Sequence, residues 1–201
     1  MSDASASEFV YNPFPVTALL QGGQADAVAA QIAMLRAQQR RPVAIWVVQP
    51  DHDPAVVALA DPAGRPQVQI LRSDRPLASW APLVFAWFLP TLYGMFVAPG
   101  AALDRRFLYS AGNCLLGHRA LICAGGTRQG VPVEPGEEPA AIDAGSGAWV
   151  FETSWIRHAW RRPPAGLPGD TMAKFEAGLR QSGTPMLVPP LLPGATAHLL
   201  A

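Results

Sequence analysis

Residues 43–48 read VAIWVV, a short β-branched run that is apolar on both of its faces. A strand with one wet face alternates apolar and polar residues. A run apolar throughout must be covered on both sides, as the strands of parallel sheets are. The run therefore calls for a sheet sandwiched between other elements. Three further segments fit the same sheet: QVQILRS (67–73), which alternates, LVFAWF (83–88) and RALICA (119–124). Four such strands, interleaved with helical or loop segments, predict an α/β domain with a parallel sheet and helices on both faces.

The helical segments follow from periodicity. From Gln24 to Arg40 the apolar residues Ala25, Val28, Ala29, Ile32 and Leu35 recur at three- and four-residue spacing, with Gln and Arg opposite. Arg36, Arg40 and Arg41 suit a helix C-terminus, and Pro42 blocks continuation. A short helix within 51–61 is expected to start at Asp53, with Pro54 in its first position. The segment 169–183 reads as a helix, with Asp170 or Thr171 as N-cap, Met172, Phe175 and Leu179 on one face, and Gly183 as its stop. PFPVTALLQGG (13–23) is expected to give one or two helical turns, stopped by Gly22 and Gly23. Residues 90–106 read as a loop with at most a short helix. The Gly-, Pro- and acid-rich stretch 127–148 reads as a long surface loop or lid. Residues 147–162 fit a helix or a strand, and the proline-rich tail is extended. The expected division is an N-terminal extension with one helix (1–41) and a main domain (42–201).

Composition excludes several classes. Half of the 201 residues are hydrophobic and 15% are charged, enough for a sizeable core. The formal net charge is zero, so no basic surface for nucleic acid is expected. Neither a CxxC nor a Cys/His cluster with zinc spacing is present; Cys123 sits in an apolar run and reads as a buried thiol. The first thirty residues lack a basic segment followed by an apolar one. The longest apolar run is broken by Pro90 and Gly94, too short to span a bilayer. No transmembrane segment and a cytoplasmic location are the expectations.

The end of the fourth strand raises the functional question. RALICA runs into Gly125 and Gly126. The pair is either a tight turn or a place where missing side chains let a ligand approach the backbone. In open α/β sheets ligands sit beyond the carboxyl ends of the strands.

The window FLYSAGNCLLGHRALICAGGTRQG (107–130) resembles the middle of the flavodoxin-like NAD(P)H:quinone oxidoreductases. Phe107 and Tyr109 stand for that family's aromatic pair, Leu115-Leu116-Gly117 with His118-Arg119-Ala120-Leu121 for its strand lead-in, and Ala124-Gly125-Gly126 for its flavin loop. LVFAWFLPTLYGMF (83–96) is similar to the third strand and the loop after it. The resemblance implies a flavodoxin-like parallel sheet with a shortened first half and an extra N-terminal helix. It implies FMN as cofactor, held by Trp87, Phe88 and Leu89 along the ring and by Ala124, Gly125, Gly126 and Thr127 at its polar edge. It further implies NAD(P)H as electron donor, hydride transfer to a quinone-like small-molecule acceptor, and a homodimer, with Trp149, Trp155 and Trp160 candidates for its interface. The first loop, QPDHDPAVV, keeps Pro50 and His52 but lacks the family's Ser and Asn, and the loop after Gly126, TRQGVPVEPGEEP, has neither the Tyr nor the His that the family often places there. The alternative that these differences suggest is a flavin-free, flavodoxin-like binding or regulatory subunit with a protein partner. His158 reads as a packed or surface residue.

Overall fold

A computed structural model describes residues 14–49, 53–72, 81–156 and 171–190. The strands are β1 (Val16–Gln21), β2 (Ala44–Gln49), β3 (Gln67–Arg72), β4 (Tyr93–Val97), β5 (Leu121–Arg128), β6 (Val131–Pro132), β7 (Ala140–Ala141), β8 (Ala144–Glu152) and β9 (Met186–Val188). The helices are α1 (Ala25–Arg36), α2 (Pro54–Val57), α3 (Ala81–Ala86), α4 (Phe107–Gly117) and α5 (Thr171–Gln181). The α/β class expected from the sequence holds: a central sheet is flanked by helices. Its order is β3-β2-β1-β4-β8-β5-β9-β7, with β6 pairing with β5. Pairing is mixed. β3, β2, β1 and β4 run parallel, and β8 lies antiparallel between β4 and β5.

Each face of the sheet is covered. On one, Val28, Ile32 and Leu35 of α1 and Leu108 and Ala111 of α4 pack on Ala18, Leu20, Ile45 and Val47. On the other, Leu83 and Ala86 of α3 and Phe175 and Leu179 of α5 pack on Leu19, Val48, Phe96, Trp149 and Phe151. Phe151 stacks on Phe96 at 4.6 Å between centroids and meets the edge of Phe175 at 5.4 Å, near the favoured aromatic geometries.

Residues 16–21, expected as helical turns, are the strand at the middle of the parallel part. VTALLQ is buried on both faces, so it carries no alternation, and its Ala and Leu are good helix formers. Pairing to β2 and β4 overrides that preference. Consequently α1 is the crossover between two paired strands rather than an added helix. A boundary at residue 41 divides in sequence what the sheet joins in space.

The run 83–88, expected as a strand, belongs to α3 and the turn after it. Leu83, Ala86 and Leu89 recur at three-residue spacing and face the core, whereas Trp87 and Phe88 are 46% and 70% exposed. A short apolar run does not by itself separate the two periods. The expected loop after it holds β4. Gly94 lies inside this strand, where an added Cβ would come within 2.5 Å of the Phe151 ring, so the glycine makes room for an aromatic of the neighbouring strand.

Half of the stretch expected as a surface lid is sheet. β5 continues to Arg128 and turns back into β6 through Gln129 and Gly130, at φ of 54° and 78°, as two-residue hairpins require. The undecided segment is β8 to Glu152, followed by a 3-10 turn over Thr153–Trp155. Trp149 and Trp155, candidates for a dimer interface, are core residues. Trp160, His52 and His158 lie outside the described residues.

Asp53 caps α2 as expected: its Oδ1 accepts from the Ala55 amide at 2.9 Å, and Pro54 follows. Asp53→Ala should cost about 1 kcal/mol, read as a lowered midpoint in urea unfolding. An unchanged midpoint would mean that the cap contributes nothing.

Candidate functional site

The sheet order places a crevice between β1 and β4. From β1 the chain crosses to β2 on one side, while β4 lies on the other. The strand order therefore reverses between β1 and β4, and in α/β sheets ligands bind beyond the carboxyl ends of the strands at such a switch point. A cavity of about 460 Å³ opens there. Leu19 and Gln21 of β1, Val97 with the following Ala98 and Pro99, Ser146 and Trp149 of β8, and Met172, Ala173 and Glu176 of α5 are on its wall.

One carboxylate organises this wall. Glu176 is 3% exposed. Its Oε1 accepts from the Gly145 amide at 2.9 Å and from the Trp149 indole Nε1 at 2.6 Å. Charge-assisted bonds of this kind are about twice as strong as neutral ones, and they offset part of the cost of burying a carboxylate. The two bonds tie α5 to the start of β8 and fix the Trp149 ring beside the cavity. Gly145 has to be glycine here: an added Cβ would lie 2.5 Å from Cys123 Sγ, 2.6 Å from the indole nitrogen and 2.8 Å from Glu176 Oε1. Gly147, at φ 77°, bends the same strand, and its carbonyl accepts from Ala98 N at 2.8 Å, joining the wall to the segment that leaves β4. Cys123 is a free, buried thiol as expected. Burial, and after it the charge of Glu176, hold its pKa well above the ordinary thiol value.

The residues expected to hold a flavin lie elsewhere. Trp87 and Phe88 project outward at the end of α3, and Leu89 packs into the core. Ala124, Gly125, Gly126 and Thr127 are inside β5, where Gly125 pairs with Ser146, Gly126 with Gly145 and Thr127 with Ala144. None of the seven lines the cavity. The opening left by Gly126 is filled by Ile142 and the Ala144 carbonyl oxygen. What this glycine admits is the neighbouring strand. Phe107 and Tyr109 are on α4. Phe107 is in the core, and the Tyr109 ring receives the Arg40 guanidinium at 5.3 Å.

Gln21, Ser146, Trp149 and Glu176 were not expected at a site. The signal for Glu176 is present in the sequence: with Met172, Phe175 and Leu179 it completes the i, i+3, i+4, i+7 stripe of α5, an acid on an apolar face. Among the described residues no group of three or more His, Cys, Asp or Glu side chains is placed to hold a metal ion.

Neither a protein-family model nor a curated protein matches the chain in sequence. Solved structures do match its fold. S. aureus TarS, residues 1–349, superposes with a TM-score of 0.68 at 13% identity, over 90% of this chain and 59% of that one. The same protein in complex with UDP-GlcNAc gives 0.67 at 14% identity, over 90% and 57%. A mannosyltransferase, PcManGT from Pyrobaculum calidifontis, in complex with GDP-Man and Mn2+, gives 0.62 at 11% identity, over 88% and 55%. This chain spans little more than half the length of these structures. Their fold is of the glycosyltransferase A type, and at these identities the fold is what the likeness shows. It corrects the assignment to flavodoxin-like quinone oxidoreductases, and with it FMN, NAD(P)H, the quinone acceptor and the flavin-free variant of that fold. Two of these three structures are in complex with a nucleotide sugar, UDP-GlcNAc or GDP-Man. The physical reason for the correction is local. The Phe107–Gly130 window carried the resemblance, but its aromatics are on a helix and its glycines are inside a paired strand. No helix among the described residues is long and apolar enough to cross a membrane.

Proposed function

We propose that this domain binds a nucleotide sugar in the cavity between β1 and β4 and serves glycosyl transfer. The observation that carries the proposal is the position of the cavity: it lies at the switch point of a sheet whose fold is shared with glycosyltransferases solved with UDP-GlcNAc or GDP-Man. Its wall suits such a ligand. Trp149 offers a flat apolar surface to a sugar or base ring, and Gln21 a side-chain amide that both donates and accepts. Met172 and Ala173 place the first turn of α5 on the wall, and the partial positive charge of a helix N-terminus favours a phosphate there. Glu176 acts as a positioning residue, holding Trp149 and the start of β8 in place.

The test is calorimetric titration with UDP-GlcNAc, UDP and GDP-Man, repeated on Ser146→Trp. Ser146 is exposed and on the wall, so the indole fills the cavity with little strain on the core. At least one of the three ligands is expected to bind, and Ser146→Trp to weaken it by about tenfold or more, about 1.4 kcal/mol. Unchanged binding in Ser146→Trp would put the ligand elsewhere. Failure of all three ligands to bind the unmodified protein would overturn the reading.

A further inference from the structure

We infer that the cavity takes its nucleoside diphosphate without a divalent cation. The inference rests on the nucleotide-sugar reading above and adds that no metal ion shares in holding that ligand. One of the matched structures is described with Mn2+ beside GDP-Man. A cation such as Mn2+ or Mg2+ is held by oxygen ligands, with one or two carboxylates completing what substrate phosphates and waters supply.

Among the described residues, the wall of this cavity does not offer that set. Among these described residues Glu176 is the one acidic side chain on the wall, and no histidine or cysteine is on it. Its Oε1 already accepts two N–H donors, and the residue is buried. The segment leaving β4 borders the cavity with Ala98 and Pro99 and continues as Gly100, Ala101, Ala102 and Leu103, without a side-chain oxygen. The first acid beyond it, Asp104, faces its own backbone: Oδ1 accepts from Arg106 N at 2.7 Å, ahead of α4. Its carbonyl oxygen accepts from Gln38 Nε2 at 2.7 Å. On the opposite border Asp143 directs Oδ2 to Gln129 N at 2.7 Å, across the β5–β6 turn. Each of these acids serves local structure, and they do not converge on one point.

The experiment is titration of the intact protein with UDP-GlcNAc, UDP and GDP-Man, in excess EDTA and again in excess Mn2+. Beside it, electron paramagnetic resonance of Mn2+ is recorded with protein and UDP together. The affinity is expected to agree within about twofold between the two conditions, and the signal of free Mn2+ to match a protein-free sample containing the same UDP. Binding that appears only with Mn2+, or strengthens by about tenfold or more, would overturn the inference and leave the nucleotide-sugar reading standing. Loss of the free Mn2+ signal beyond that of the protein-free sample would overturn it equally. No binding of any of the three ligands in either condition would overturn the reading, and the inference with it.

Discussion

Gly126→Val is expected to unfold the domain or to lower its stability by about 4 kcal/mol or more. The residue pairs with Gly145 of β8 in the interior of β5. An added Cβ would lie 2.5 Å from the Ala144 carbonyl oxygen and press on Ile142 Cδ1. Ile142 Cδ1 is the end of a side chain that can change rotamer; a backbone oxygen in a paired strand cannot move unless the ladder opens. Valine adds two further methyls at the same point. A loss of this size is a large part of the 5–15 kcal/mol that holds a typical domain, and for a chain of this length it lowers the melting temperature by about 8 °C or more. The control is Gly125→Val, one residue earlier. There the added Cβ meets only Ser146 Oγ, at 3.0 Å, and a serine can turn. The loss at Gly125 should stay below about 2 kcal/mol. Melting followed by circular dichroism separates the two variants. Equal, small effects at both positions would mean that the glycines face open space, and the register of β5 on β8 would be refuted.

That contrast shows how far the sequence was legible. The α/β class followed from VAIWVV and its companions, because strands buried on both faces leave a compositional trace. Helices α1 and α5 followed from their apolar spacing, and α2 from Asp53 and Pro54. The difficult segments were those where the two periods coincide. VTALLQ, buried on both faces and half made of the helix formers Ala and Leu, is a strand; LVFAWF, equally apolar, is largely a helix. Only the sheet partners of the first and the outward-facing Trp87 and Phe88 of the second decide between them. The site was less legible, for a related reason. A glycine pair after a strand suggests an opening for a ligand. Whether the opening is empty depends on Ile142 and Ala144, which follow it by some sixteen residues and return through β7 and β8. The cavity itself is assembled from the ends of β1 and β4, the start of β8 and the first turns of α5. No single stretch of sequence contains it. Its one local trace is Glu176 on the apolar face of α5.

Glu176→Ala is therefore the second change expected to have a large effect, about 4 kcal/mol of stability. Truncation removes the acceptor shared by Gly145 N, which is half-buried, and Trp149 Nε1, which is buried. A buried donor left without a partner costs about 1–3 kcal/mol, and two are exposed to that cost here. The start of β8 and the indole ring should also lose their fixed positions on the cavity wall, so binding of UDP-GlcNAc should weaken together with stability. Glu176→Gln separates charge from shape. Its amide oxygen can still accept both bonds at similar distances, and the loss should fall to about 1–2 kcal/mol. Trp149→Phe in the Glu176→Ala background removes one of the two orphaned donors. The paired change should thus cost less than the sum of the single ones. Cys123 gives an independent readout. The charge of Glu176 is the second cause of its raised pKa, after burial. Removing that charge should let the thiol ionise at a lower pH, while burial keeps it above the ordinary thiol value. Urea midpoints for the four variants, with a thiol titration of Cys123 beside them, test the arrangement. Stability within about 0.5 kcal/mol of the unmodified protein in Glu176→Ala, with an unmoved thiol, would show that the carboxylate does not hold these donors.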